Sequence, residues 1–384
     1  MPISYWPPAQ AIYIHIPFCA KHCAYCDFNT YVETPNSPAV NKTVNAICAD
    51  IARSNPPPGV PIRSVFFGGG TPTFLTAEQI TCILECLRAT FPIAPDAEIS
   101  SEANPGSSDA EKFAAMRSAG FNRLSIGVQA FDDELLLNLD RFHSAGEAEA
   151  ALNAARTAGF DNVSLDLMFG LPGQSLALLE ASIDKALALH PEHISLYALT
   201  LEPGTRFERM HTGGKLKLPD EDTELAMYET CIERMQAAGL QQYEVSNFAR
   251  EGNQCRHNLV YWNNEQYYAF GPGAVSCLDG LRCRRERSPG AYNQKISNAD
   301  SVIVETDEPD SSESLGETMM LGLRLREGIT CERIMQRHGI DPLQYFAPQL
   351  EKFQREGLLV IDGSRLRLTH QGLLLANSVL SEFL

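Results

Sequence analysis

No long apolar run occurs in this chain. Stretches such as Gly372 to Ala376 stop far short of the roughly 18 residues a membrane-spanning helix needs, so no stable membrane insertion is expected. Met1 to Gln10 contain no basic residue and no extended apolar core, unlike a secretory leader, which points to a cytoplasmic protein. Positive charge is scarce as well: 31 lysines and arginines stand against 48 acidic residues, and 48 − 31 = 17 gives the formal charge of −17. A chain that coats phosphate backbones needs concentrated positive charge, so nucleic acid is not an expected partner. The eleven cysteines are an odd number in 384 residues and do not suggest a disulfide framework. What is present is ordinary for a folded protein: 44% of residues are hydrophobic and 21% charged. That is too apolar for disorder and long enough for about two or three domains.

The first two hundred positions alternate between two periodicities. Runs rich in β-branched and aromatic residues at Ala11–Ile16, Ser64–Phe67, Ala97–Ser100, Arg123–Val128, Asn162–Phe169 and His193–Thr200 read as strands. Between them lie segments with helical spacing, among them Ala77–Phe91, Ala145–Gly159 and Ser175–His190. Gly120 and Gly159 stand where helices should stop. Six strand–helix alternations with short connections predict an α/β fold with a parallel sheet. A partial (β/α)6 barrel and a doubly wound open sheet both satisfy this periodicity.

Past Asp220 the pattern changes. Glu221–Ala238 predicts one long amphipathic helix and Gln242–Phe248 an extended segment, while Arg250 to Gly290 reads as loops and short strands. Residues 301–317 hold six acidic residues and no basic one, the composition of a solvated linker. Helical segments follow, then a hairpin, Leu358–Ile361 and Arg365–Leu368, around an Asp362-Gly363 turn, and a last helix from His370. Helices followed by a two-stranded wing predict a small winged-helix-like module, expected to cap the protein rather than to touch nucleic acid. The expected organisation is residues 1–240 as the α/β barrel, 241–300 as a connecting region, 301–317 as an acidic linker and 318–384 as a small C-terminal domain.

Eight of the cysteines are scattered and three are bunched after the first strand, as Cys19-Ala20-Lys21-His22-Cys23-Ala24-Tyr25-Cys26. Three thiolates within eight residues can converge on one soft metal centre. A disulfide leaves one thiol over, and a thioredoxin-like pair uses Cys23 and Cys26 but leaves Cys19 unexplained. A structural zinc needs a fourth ligand, for which His22 or Asp27 is at hand. A cubane cluster held at three of its four irons leaves one iron open, which accounts for three cysteines rather than four.

This Cys-x3-Cys-x2-Cys triplet, with Tyr25 before its last cysteine, resembles the signature of the radical S-adenosylmethionine (SAM) superfamily. The resemblance implies a partial (β/α)6 barrel and a [4Fe–4S] cluster on Cys19, Cys23 and Cys26, whose open iron chelates SAM. Further motifs fit: Gly68-Gly69-Gly70-Thr71-Pro72-Thr73 after the second strand, Glu102 at the end of the third, and Gly127-Val128-Gln129 at the end of the fourth. Arg141 follows in Leu139-Asp140-Arg141-Phe142-His143, and Asp166 lies in the fifth strand. Polar residues at strand C-terminal ends are where such folds place ligand contacts. Carried over by resemblance, Tyr13, Tyr25, Gly69 and Glu102 contact the cluster-bound SAM. Gly70, Thr71, Gln129, Arg141 and Asp166 correspond to contacts with a second SAM, or line a shared cavity.

Within the superfamily, Ile14-His15-Ile16-Pro17-Phe18-Cys19, the Gly-Gly-Gly-Thr-Pro-Thr run and Asp166-Leu167-Met168-Phe169-Gly170-Leu171-Pro172 are similar to those of oxygen-independent coproporphyrinogen III dehydrogenase and its relatives. Met319-Met320-Leu321-Gly322-Leu323-Arg324 is similar to the relatives' small domain. The dehydrogenase, however, has Cys-x-Cys at the end of its triplet, where Cys26 is here followed by Asp27-Phe28. It also carries a substantial extension where about ten residues precede the first strand here. Both features match the radical SAM heme chaperones (HemW type) instead. So does Arg256-His257-Asn258-Leu259-Val260-Tyr261-Trp262, which resembles that family's heme-associated His-Asn-x-x-Tyr-Trp motif. The resemblance implies that heme is a ligand, with His257 supplying a neutral imidazole and Tyr261 and Trp262 flat apolar surface. Acceptor hemoproteins and an electron donor are the implied partners, and coproporphyrinogen dehydrogenation is not the expected activity. The run Arg282, Arg284, Arg285 and Arg287 reads as an exposed hairpin.

Overall fold

The computed structural model describes residues 6–107 and 109–384; the first half of the Met1–Gln10 segment lies outside the described residues. Six parallel strands form its centre: β1 (Ala11–Ile16), β2 (Ile62–Gly69), β3 (Ile93–Ala103), β4 (Arg123–Gln129), β5 (Val163–Phe169) and β6 (His193–Ala198). They neighbour one another in strict chain order. A doubly wound sheet reverses its order at a switch point; this one does not, so the fold is the partial barrel. It stays open. Three more strands, β7 (Gln241–Glu244), β8 (Asn247–Ala249) and β9 (Tyr268–Phe270), occupy its edges. β9 pairs in parallel with β1, and β8 runs antiparallel to β6 with β7 outside it.

Helices α1 (Pro38–Ala52), α2 (Ala77–Thr90), α3 (Ala110–Ala119), α4 (Asp133–Asn138), α5 (Ala145–Thr157) and α6 (Leu176–Ala188) connect the strands. Their starts are written locally. Ser37 caps α1 ahead of a proline, and Thr76 with Gln79 and Ser144 with Glu147 close capping boxes on α2 and α5. Gly120 ends α3 in the left-handed region at φ +106°, where a Cβ is costly. The helices bury their apolar faces on one side of the sheet. On β4, Leu124, Ile126 and Val128 join this core, and the intervening Arg123, Ser125, Gly127 and Gln129 line the cavity on the other side. The same period of two holds on β5 and β6. Strand alternation thus sorts each barrel residue into core or site.

After α7 (Arg206–Thr212) and α8 (Glu221–Ala237), the chain departs from expectation in two places. The His-Asn-x-x-Tyr-Trp motif, expected among loops and short strands, forms a helix, α9 (Arg256–Trp262). Residues 301–317 are not a linker. Their first half is β12 (Ile303–Asp307), third strand of a small antiparallel sheet with β10 (Val275–Leu278) and β11 (Leu281–Arg285). After α10 (Pro289–Ser297), their second half opens α11 (Ser311–Gly322) under an Asp310–Glu313 capping box. The acidic side chains are spent locally: Glu317 and Asp307 pair with Arg282, and Glu305 pairs with Arg284. The arginine run is accordingly a hairpin, but not a free one, since Arg285 is buried against Asp50.

The C-terminal module has its own core, including Leu315, Met319, Phe353, Leu366 and Phe383. The expected wing is there, with Leu359–Asp362 antiparallel to Arg365–Leu368. No helix among the described residues is long and apolar enough to cross a membrane.

Candidate functional site

The strand C-termini open onto a cavity of about 730 Å3. The residues assigned from the sequence to the cluster, SAM and heme iron all line it: Cys19, Cys23 and Cys26; Tyr13, Tyr25, Gly69, Gly70, Thr71 and Glu102; Gln129, Arg141, Asp166 and His257. They come from five of the six barrel strands, the loops after them and α9.

The cysteine loop is fixed by its backbone. Phe18 and Cys19 pair with Tyr31 and Val32, the Cys26 amide donates to the Cys23 carbonyl at 3.3 Å, and the Ala24 amide donates to the Leu139 carbonyl at 3.2 Å. The glycine run packs beneath it. A Cβ on Gly70 would stand 2.7 Å from the Phe18 oxygen, 2.9 Å from the Ile16 oxygen and 3.1 Å from Cys19 Sγ. Gly70 thus lets the loop pack closely on the end of β2, while a Cβ on Gly69 would instead strike the His15 ring. Polar groups reach two of the sulfurs: Thr71 Oγ1 lies 3.5 Å from Cys19 Sγ, and Arg141 Nη1 donates to Cys23 Sγ at 3.7 Å. Such contacts tune a sulfur-bound iron centre. Burial raises the thiols of Cys19 and Cys26, the latter to about 12, so nearby positive charge is needed to favour their thiolates.

Among the described residues a different trio, Cys48, Cys82 and Cys86, has its sulfurs all within 4.8 Å of one another.

Deeper in the cavity, carboxylates and one arginine share little solvent. Glu102 accepts from the Gly69 amide at 3.1 Å. Burial, and then the nearby Asp166 carboxylate, push its carboxyl up to about 8. Asp166 accepts from Ser125 at 2.9 and 3.1 Å and from Ser164 at 3.2 Å. Its carboxyl is raised by burial against these bonds. The sequence reading missed Arg123, which is 2% exposed and whose Nε has no hydrogen-bond partner among the described residues. Its only sequence signal was a charged residue at an inward position of an otherwise small or apolar strand. Arg141 is held by its Nη2 donating to the Gly127 carbonyl at 2.5 Å.

His257 is 1% exposed. Its ring stacks on Phe66, with centroids 5.3 Å apart, and lies 6.4 Å from the ring of Tyr13. Nδ1 faces the Ser64 hydroxyl at 3.1 Å and Nε2 the Tyr261 hydroxyl at 3.0 Å. Burial, then the Arg123 charge, lower its pKa to about 3, so the imidazole is neutral. Tyr261 stands one helical turn later and also lines the cavity. Trp262 does not share that wall; the Arg324 guanidinium of the C-terminal module lies 5.5 Å over its ring.

Comparison with known proteins bears on what the cavity holds. The Radical SAM superfamily matches residues 13–186, and the HemN C-terminal domain matches residues 310–375. The first match implies a [4Fe–4S] cluster and SAM. The solved structure described as coproporphyrinogen III oxidase (HemN) from Escherichia coli, a radical SAM enzyme, superposes with a TM-score of 0.84 over 99% of this chain and 91% of that one. At 24% identity it shows the shared fold. The heme chaperone HemW of Bacillus subtilis is 40% identical across 98% of this chain and 99% of its own. That of Escherichia coli is 37% identical across 98% of each. With similarity at that level running through both regions, the chain belongs to the radical SAM superfamily and, within it, to the HemW family.

Proposed function

We propose that this protein binds heme and hands it to acceptor hemoproteins, with a [4Fe–4S] cluster and SAM held in the central cavity. The observation that carries the reading is the 40% identity, along 98% of the chain, to a protein named heme chaperone HemW. In this reading Cys19, Cys23 and Cys26 each ligate one iron. Tyr13, Tyr25, Gly69 and Glu102 surround the SAM on the remaining iron, and Gly70, Thr71, Gln129, Arg141 and Asp166 complete the wall. When bound and reduced by an external electron donor, the cluster supplies electrons for cleavage of the SAM sulfonium. Thr71 and Arg141 hold the sulfurs in place, and Glu102, carrying a proton below about pH 8, can donate to an anionic ligand group.

His257 is the proposed ligand to heme iron. Its neutral state suits that role, but Nε2 must first be released by the Tyr261 hydroxyl. Heme titration tests the whole reading. Protein added to heme is expected to shift the Soret band. His257→Ala should abolish the ligand-dependent part of that shift, and Tyr261→Phe should strengthen binding by removing the competing hydroxyl. No Soret change in the intact protein, or formation of protoporphyrinogen IX from coproporphyrinogen III with reductant and SAM, overturns the assignment.

A further inference from the structure

Three cysteines outside the cavity, distant in the sequence, meet on the helical layer. Cys82 and Cys86 are one turn apart on α2, and Cys48 stands on the adjacent α1. Their sulfurs all lie within 4.8 Å of one another, with Cys48 and Cys82 3.9 Å apart, and among the described residues no other three histidine, cysteine or carboxylate side chains meet that spacing. A separation of 3.9 Å is nearly twice a disulfide bond of about 2.05 Å. It is close to the edge of about 3.8 Å set by zinc–sulfur bonds of about 2.3 Å in a tetrahedron. Both helices are capped at their starts by side chains, Ser37 and Thr76, so the sulfurs project from ordered backbone. Cys48 and Cys86 are partly buried and Cys82 is exposed, which leaves the outer side of the trio open to water. Burial and then neighbouring cysteines raise the thiol of Cys48, and Glu85 adds negative charge beside Cys86. A bound cation would reverse that balance.

We propose that Cys48, Cys82 and Cys86 form a second metal site, separate from the cavity loop, that takes one zinc-class d10 dication through three thiolates and a solvent molecule. Binding exchanges three S–H protons, released to solvent, for three S–metal bonds, and no electron changes hands. The ion would tie α1 to α2 within the helical layer, on the side of the sheet away from the cavity.

Zinc retention tests this directly. Cluster-loaded protein is incubated with Zn2+ under reducing, oxygen-free conditions, passed over a chelating resin and analysed for zinc and iron. The intact chain is expected to keep about one zinc per molecule in addition to its iron. Cys48→Ser and Cys82→Ser should each lower zinc affinity by at least roughly tenfold while iron content stays constant. Cys82 is exposed, so its variant is expected to fold; far-UV circular dichroism checks this. The proposal is overturned if no zinc is kept, if the variants keep as much as the intact chain, or if zinc is gained only as iron is lost. A disulfide between any two of the three cysteines in the protein purified under reducing conditions also overturns it.

Discussion

Gly70 lacks a side chain because there is nowhere to put one. Its missing Cβ would press on two carbonyl oxygens and on the sulfur of Cys19, none of which can swing away cheaply. Gly70→Ala is therefore expected to cost about 1–3 kcal/mol through overpacking and to displace the loop, so iron per chain after reconstitution should fall together with the denaturation midpoint. Glu102 offers a test by pH. An unfolded glutamate loses its proton near about pH 4.3, and the folded one holds it to about 8. Between those values the folded chain binds the extra proton, so stability drops as pH rises, by at most about 1.4 kcal/mol per unit, and levels off above the window. Glu102→Gln should remove that slope: the midpoint difference between variant and parent, measured on cluster-free protein, is expected to widen in the variant's favour from pH 5 to 8. Residues at this scale were legible where a motif marks them. Arg123 has no such mark, and the Cys48, Cys82 and Cys86 trio is invisible until two helices are laid side by side.

Elements are legible where one period dominates. The six barrel strands lie within a few residues of their expected positions because apolar residues recur along them at or near every second position, the period of a strand. The helix α9 was missed because it is seven residues long and crowded with aromatics, and the residue before it, Cys255, makes no side-chain cap. What holds it is tertiary: the Glu98 carboxylate accepts from the amides of Arg256 at 3.0 Å and His257 at 3.2 Å. The acidic segment was misread for a related reason, since composition alone does not reveal the arginines that pair with it. The attachment of the β10–β11–β12 sheet to the barrel can be tested at Asp50 on α1. Its Oδ2 accepts from Arg285 Nε and from the Tyr292 hydroxyl, each at 2.7 Å, out of reach of solvent. Asp50→Ala strands a buried guanidinium and is expected to cost about 3–5 kcal/mol, read as a lower denaturant midpoint. Asp50→Asn, which keeps an oxygen acceptor, should cost less.

The whole molecule is joined where its two tryptophans lie. Arg337 of the C-terminal module stacks 3.5 Å over Trp6, and Arg324 of the same module lies 5.5 Å over Trp262. Between these stacks Arg333 donates to the Asn263 side chain at 2.6 Å, to the Asn263 carbonyl at 2.7 Å and to Glu265 at 3.1 Å, and Asn264 donates to Thr318 at 3.0 Å. Asn263 is the residue that ends α9, so the module is docked directly on the helix that carries His257. Tryptophan emission consequently reports docking, and far-UV circular dichroism reports the secondary structure of the whole chain. In the intact chain the two denaturation curves are expected to coincide, since Arg333 of the module spends its hydrogen bonds on Asn263 and Glu265 outside it. Arg333→Ala removes three of those bonds at once. It should bring the emission change to lower denaturant, ahead of the dichroism change, and weaken heme binding by loosening the end of α9. Coincident curves in the variant, with heme binding unaltered, would show that the module is held elsewhere and that α9 keeps its place without it.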